Sequence, residues 1–364
     1  MIWSVDGLGD GFSTVTLAHG LIYTTGKVGE DGMIFAIDLD GNIKWKKSYG
    51  KAWAGSHPGV RTTPTIDGNR VYVISGYGNI VCFDAKTGDQ KWAVDTLAKF
   101  EGKYSKWGIS ESPLIVDDKV ICSPGGPDAT LVALDKMTGE TVWTSKGLSE
   151  KSSYCSPYLF ERGGKKIVAS MADQSFIGVD AVSGEVLWAD SFAECFGGVH
   201  KNINPVSPIY YNGEIFTTSG YNDGSAMYAV SADGTKLTRK RVEKIFDNHH
   251  GGVVLVDGHI YGSNWLNNRK GNWLCMKWDT GEILYEKTWI GKGAIVYADG
   301  LLYCYEEKEG TLALVEPGPE DFKIISSFKI ELGDGKHWAH PVLCEGRMYV
   351  RHGNVLMAYD VKVN

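Results

Sequence analysis

The chain has no run of 18 apolar residues, so nothing in it reads as a membrane-spanning helix. It has no long lysine and arginine run that would offer a positive stripe, and its formal charge is −7, with a pI near 5.8. A nucleic-acid surface, which needs a positive stripe facing phosphates, is therefore excluded. Its 7 cysteines (Cys82, Cys122, Cys155, Cys195, Cys275, Cys304 and Cys344) form no C-x-x-C, no C-x-x-C-H and no adjacent pair. That removes a redox dithiol, covalent haem and a vicinal disulfide. There is no G-x-S-x-G elbow, no H-E-x-x-H helix and no phosphate-binding P-loop. The glycines of G-Y-G-N-I, Gly76 and Gly78, sit in a hairpin turn without the helix that a dinucleotide site requires. N-glycosylation sequons are missing as well. The chain shows no signal peptide and begins at Met1-Ile2-Trp3 as if inside a repeat, so a removed leader or lipid anchor is expected.

Glycine, by contrast, is abundant at 46 residues, aromatics make up 12% of the chain, and prolines number only 11. Many short strands joined by tight turns have this composition. A tryptophan follows a Thr-Gly, Ser-Gly or Asp-Gly turn at a fixed offset: AIDLDGNIKW ends at Trp45, CFDAKTGDQKW at Trp92, ALDKMTGETVW at Trp143 and GVDAVSGEVLW at Trp188. Weaker copies end at Thr238 and Tyr285. A unit recurring at this spacing is a stacked repeat, in which each copy buries its faces only against its neighbours.

Each unit opens on a short strand often marked by proline (Pro64, Pro113, Pro157, Pro208, Pro341). A hairpin, a third apolar strand and a fourth strand ending at the aromatic then follow. Four antiparallel strands make a propeller blade. Openings near Ser13, Thr62, Ser112, Ser156, Ser207, Gly252, Ala294 and His340 predict eight blades. The last lacks a fourth strand, and Ile2-Trp3-Ser4-Val5 has the form of the missing one, with Trp3 expected beside Ala358. The reading is an all-β, eight-bladed propeller over residues 1–364 as one domain, its repeat tryptophans packed in the core.

The pattern A-x-D-x-x-T-G-x-x-x-W, met in full by Ala133, Asp135, Thr138, Gly139 and Trp143, resembles the repeat of quinoprotein-type (PQQ-like) β-propellers. Strings such as WGISESP (107 to 113), NHHGGVVLVDG (248 to 258) and HWAHP (337 to 341) are similar to BamB-like and polyvinyl-alcohol-dehydrogenase-like bacterial proteins. The resemblance implies a periplasmic or other extracytoplasmic location and either of two activities. One is a binding or interaction module that grips proteins through its loops; the other is an alcohol or sugar dehydrogenase using PQQ with calcium. The family's vicinal disulfide is absent here, and Glu111 with Asn204 offers too few oxygens for a calcium site.

First strands of propeller blades line the central channel, so their opening residues converge. One ring reads Thr14, Thr63, Ser112, Ser156, Ser207, Gly252, Ala294 and His340, mostly small. Two residues earlier a second reads Phe12, Arg61, Ser110, Tyr154, Pro205, His250, Lys292 and Trp338, cationic and aromatic. His57, Trp107, Glu111, His200, Asn202, Asn204, His249 and His337 lie beside them, whereas His19, His259 and His352 fall in hairpins and are expected to be solvated. A polar, partly cationic pocket at one channel mouth follows. Its expected ligand-binding residues are Arg61, Trp107, Tyr154, His200, Asn204, His249, Lys292, Trp338 and His340, and the candidate acid/base pair is Glu111 with His250. Arginine and lysine suit a carboxylate, phosphate or sulfate, and the aromatic rings suit a sugar or planar group. His249 and His250, if on a strand, point to opposite faces, so no metal site is assigned. The expected partner is a small polar or anionic ligand, or a protein held through loops, and the chain is expected to be a monomer.

Overall fold

Why each repeat folds as it does is visible at its turn. Asp84, Asp135 and Asp180 each accept two backbone N–H groups from the residues that follow, Asp135 from Met137 at 2.8 Å and Thr138 at 2.9 Å. This Asx cap, followed by a left-handed glycine, reverses the chain within a few residues. The glycine serves a second purpose. At Gly88 (φ +73°) a Cβ would come within 2.8 Å of the Trp45 ring of the preceding blade, so only a bare backbone lets the indole lie flat on the turn.

The computed structural model describes residues 1–197 and 201–362. It contains eight four-stranded antiparallel sheets and two short helices, Thr96–Lys99 and Phe192–Phe196. Blade 1 runs through Thr16–Ala18, Leu21–Val28, Asp31–Asp38 and Ile43–Lys51, and blades 2 to 7 follow in chain order with the same up-and-down topology. Every first strand begins within three residues of its expected opening. Blade 8 combines Val342–Cys344, Arg347–His352 and Val355–Asp360 with Trp3–Val5, in the register Trp3 to Ala358, Ser4 to Met357 and Val5 to Leu356. The ring is thus closed by strands from opposite ends of the sequence.

Apolar layers lie between neighbouring sheets. Tyr23, Ile34 and Ala36 of blade 1, for example, share a cluster with Val71, Val73 and Val81 of blade 2. The repeat tryptophans tie these layers together. Trp45, Trp92 and Trp143 each donate an indole N–H to a turn carbonyl of the next blade, Ala85, Lys136 and Ala181, all at 3.1 Å. Blade 5 uses another residue than expected. Thr238 pairs with Ala229, while the tryptophan's position, just before the bulge, is held by Arg241 opposite Met227. Its guanidinium donates to the carbonyls of Trp278 and Asp279 in blade 6. In blade 7 the same place falls to Ser326, opposite Leu314, and the outer strand Lys323–Lys329 is exposed along its whole length.

Arg351 locks the closure from inside. Only 1% exposed, it donates to Thr24 Oγ1 at 2.7 Å, to the carbonyl of Thr25, to Leu8 and Gly9 carbonyls at 3.3 and 3.0 Å, and to that of Gly353 at 3.0 Å. Burial brings its pKa down to about 10, and carbonyl dipoles take the place of a counter-ion. All seven cysteines are free thiols, and six are buried. His352 is also buried, contrary to expectation; its ring stacks on His337 with centroids 3.8 Å apart, because the loop at 331–338 folds over its hairpin.

Candidate functional site

The strand openings converge around a cavity of about 580 Å³. All eight residues of the second ring (Phe12, Arg61, Ser110, Tyr154, Pro205, His250, Lys292 and Trp338) line it, and so do Thr14, Thr63, Ser112, Ser156, Ser207 and His340 of the first. The hydroxyls of that inner ring form a belt from blade to blade. Thr14 N–H donates to Thr63 Oγ1 at 3.2 Å, Thr63 N–H to Ser112 Oγ at 3.1 Å, and Ser112 N–H to Ser156 Oγ at 2.8 Å. Ser207 Oγ donates to the Ser156 carbonyl at 3.1 Å, and Thr14 Oγ1 to the His340 carbonyl at 2.6 Å. Backbone polar groups that no sheet satisfies near the axis are satisfied here by the neighbouring blade.

Above the belt the wall is aromatic. Trp338 touches Phe12, His57 and His250, with centroids 4.9, 5.2 and 5.1 Å away, and Trp107 packs on Tyr154 at 5.5 Å. The loop carrying His249 and His250 is held by Asn248, whose amide donates to the Ser263 carbonyl at 2.6 Å and whose oxygen accepts from Gly252 N–H at 3.1 Å. Because this segment is a loop and not a strand, the two imidazoles do not point to opposite faces. Both line the cavity, with ring centroids 4.3 Å apart. His249 Nε2 contacts the Tyr221 hydroxyl at 3.0 Å, and His340 Nε2 the His250 carbonyl at 2.9 Å. Burial holds all three neutral: His249 falls to about 3 and His250 well below the usual range, with Lys292 adding repulsion to both.

Charge is distributed one-sidedly. Arg61, Arg269, Lys292 and Lys336 line the cavity against one carboxylate, Glu307. Lys292 Nζ contacts Glu307 Oε1, and His250 Nε2 lies 3.2 Å from Glu307 Oε2. Arg61 has no carboxylate partner among the described residues. Its Nη2 donates to the carbonyls of Ser56 and His57 at 3.3 and 2.7 Å, its Nη1 is buried without a partner, and its guanidinium lies over the Phe12 ring, 5.8 Å from the centroid. Burial lowers its pKa to about 10. A desolvated guanidinium with an unused donor has room for one more hydrogen-bond acceptor.

Two expected site residues are elsewhere. Glu111, 1% exposed, accepts the Ser123 N–H at 2.7 Å, and Asn204, 0% exposed, donates to the Ala172 carbonyl at 2.8 Å. Neither lines the cavity. Ser110 and Ser112 do, as do Ile203 and Pro205, so alternation along an extended backbone turns the intervening side chain outward into the space between blades. Burial raises the Glu111 carboxyl to about 7, and no histidine pairs with it among the described residues. Glu307 takes the place beside His250 that was expected of Glu111. His200 lies outside the described residues. Glu307, Tyr221, Asn268 and Arg269, absent from the expected set, come from loops joining second to third strands, which reach the same mouth.

A calcium-held quinone does not fit this donor set. Calcium needs several oxygens, whereas the cavity's one carboxylate already contacts the Lys292 amine. Among the described residues no three His, Cys, Asp or Glu side chains gather for a metal.

A family model described as outer membrane protein assembly factor BamB matches residues 30–287. The chain belongs to this PQQ-like propeller family. Across its whole length it is similar to BamB from Moraxella catarrhalis, with a TM-score of 0.73 and 15% identity over 99% of this chain and 98% of that one. The computationally designed Ika8 protein matches at a TM-score of 0.66 and 13% identity, over 99% of both chains. At these identities the likeness is one of fold. Among curated proteins, the quinohemoprotein alcohol dehydrogenase ADH-IIG of Pseudomonas putida is 29% identical over 140 residues, 36% of this chain and 19% of the relative. A quinoprotein ethanol dehydrogenase of Pseudomonas aeruginosa is 26% identical over 162 residues, 41% of this chain and 25% of the relative. The matched stretch is a quarter or less of these dehydrogenases.

Proposed function

We propose that this PQQ-like propeller is an extracytoplasmic receptor for a small anionic ligand carrying a flat or ring-shaped body, bound in the cavity at the mouth of its central channel. The observation that carries the reading is Arg61, a largely buried guanidinium on the cavity wall with no acidic partner among the described residues and a free Nη1. Trp338, Phe12, Trp107 and Tyr154 supply faces for the ligand's ring. Lys336 and Arg269, both exposed, add positive charge that favours anion capture in a chain that is otherwise acidic. Kinship to an outer membrane assembly factor supports the location. Titration calorimetry with glucuronate, 4-hydroxybenzoate and phosphate tests the reading. Saturable binding that Arg61→Ala abolishes is expected. Heat from none of the three, or equal affinity in the variant, overturns it.

One feature favours a second role, as a scaffold for a protein partner. The outer strand of blade 7 exposes Ile325 by 51%, Phe328 by 39% and Ile324 by 38%, on an edge no tryptophan ties down. Exposed apolar edges are where strands of other chains add. Under this reading Ile325→Lys with Phe328→Lys abolishes partner binding and leaves anion binding intact. Unchanged partner binding would remove it.

A further inference from the structure

Lys292 and Glu307 are set against each other by the sheet itself. They flank the first hairpin of blade 7, one step beyond the Gly293–Glu306 pair, and Glu307 N–H donates to the Lys292 carbonyl at 2.9 Å. The amine contacts Glu307 Oε1, and the two side chains are only 3% and 8% exposed. Most other ion pairs in the molecule lie at its outer surface, Lys277–Glu282 for example at 44% and 57% exposed. Glu307 Oε2 and His250 Nε2 are 3.2 Å apart, yet neither atom has an aligned hydrogen-bond partner. An amine, a carboxylate and an imidazole therefore stand in line on the wall of an open cavity, and the positive charge of the amine is already matched. Lys292 is consequently poorly placed to act as a second anion receptor beside Arg61.

We infer that Lys292 is a carbonyl-capturing amine, condensing with an aldehyde or 2-oxo acid that enters the cavity, with Glu307 and His250 moving the protons. The lone pair of Nζ forms the C–N bond as the carbonyl π pair moves to oxygen. Glu307 takes the proton leaving nitrogen, and one is returned to the oxygen to give the carbinolamine. A second proton, delivered by Glu307, lets that hydroxyl leave as water while the nitrogen lone pair closes the C=N bond, and the proton still on the iminium nitrogen then returns to Glu307. Overall, amine and carbonyl become imine and water, with no oxidant or reductant. Desolvation lowers the pKa of Lys292 to about 7 while the Glu307 carboxylate in contact favours the ammonium, so the amine becomes nucleophilic on passing its proton to Glu307. The groups facing the amine that shape this pH dependence are Glu307, His250 and His249.

The inference rests on the same cavity as the receptor reading, and the experiment separates them. The full chain is incubated with cyanoborohydride and either glyoxylate, an anionic aldehyde, or propionaldehyde, a neutral one; adducts are then mapped by peptide mass. Reduction fixes each imine as a secondary amine, adding the mass of the aldehyde less one oxygen. The expected result is an adduct at Lys292 formed at least about tenfold faster than at exposed lysines, with a rate rising through pH 7 and lost in Lys292→Arg. Glu307→Gln slows it while the melting temperature shows the chain folded. Arg61→Ala weakens capture of glyoxylate more than that of propionaldehyde. Adducts spread over surface lysines in proportion to exposure, or labelling undiminished in a folded Lys292→Arg chain, overturn the inference. Capture at Lys292 without saturable anion binding sinks the receptor reading alone.

Discussion

Trp3 donates its indole N–H to the Leu39 carbonyl at 2.8 Å and lays its ring against Gly41, in the turn between the third and fourth strands of blade 1. This is the contact that Trp45, Trp92 and Trp143 make within the body of the chain. The closing blade therefore grips the first as any other blade grips the next. Trp3→Ala is expected to cost about 2–3 kcal/mol, toward the low end for a tryptophan that is only half-buried. Ser4→Ala, on the same strand but exposed, should stay within about 0.5 kcal/mol. Urea unfolding of the two side by side decides: equal midpoints would mean the strand does not seal the ring.

The Arg61 guanidinium should not be replaceable by an ammonium. Its Nη2 is spent on the Ser56 and His57 carbonyls, which leaves Nη1 for the ligand. A lysine can serve one of these duties but not both. Arg61→Lys is expected to weaken anion affinity by about tenfold or more, the equivalent of about 1.4 kcal/mol, while Lys336→Met, on an exposed side chain, changes mainly its salt dependence. Calorimetry at two ionic strengths distinguishes them.

Glu111 sets an alkaline limit on stability. Its folded-state pKa, raised to about 7 by burial, lies above that of an unfolded glutamate, so its contribution is complete below about pH 4 and is lost as pH rises through 7. Glu111→Gln keeps an acceptor for the Ser123 N–H and removes the ionisation. The variant is expected to gain on the order of 2–3 kcal/mol relative to the parent between pH 5 and pH 8. Parallel stability curves for the two chains would contradict this.

His249 works from the acid side. Unfolded, it takes a proton near pH 6.5; folded, burial holds it neutral down to about 3. Stability from this residue is thus present above pH 6.5 and lost as pH falls toward 3. In His249→Asn the decline between pH 6.5 and pH 4.5 should be shallower by about 1–2 kcal/mol. Chemical denaturation at both pH values provides the measurement.

How much of this was legible in the sequence follows the range of the forces involved. The turns are local: an aspartate, a left-handed glycine and an aromatic four residues on suffice to specify Ala133 to Trp143, and so blade number, blade order and the Trp3–Ala358 pairing could be read directly. Period-two spacing likewise carried the two rings, since residues two apart in an extended segment share a face. The same rule, applied one step further, would have turned Glu111 and Asn204 away from the channel. Contacts between distant segments were not legible. Nothing in Tyr305-Glu306-Glu307-Lys308 marks Glu307 as the one acid on the cavity wall, because Glu306 beside it looks the same and instead caps its own turn, accepting from Lys308, Glu309 and Thr311. Arg241 escaped for a related reason. A guanidinium reaching two carbonyls replaces an indole only when the next blade's turn is already in place.

The pairing of Trp3–Val5 with Val355–Asp360 also has a consequence for biogenesis. The strand that seals the ring emerges from the ribosome more than three hundred residues ahead of its partner, and Ile2 and Trp3 have no hairpin of their own to hide in. Seven blades can assemble one upon another as they are synthesised, but the eighth forms only when Val355–Asp360 arrives and meets Trp3–Val5. Closure of the ring is therefore a late annealing step, and a nascent chain arrested before residue 355 should leave Trp3–Val5 open to proteases and chaperones.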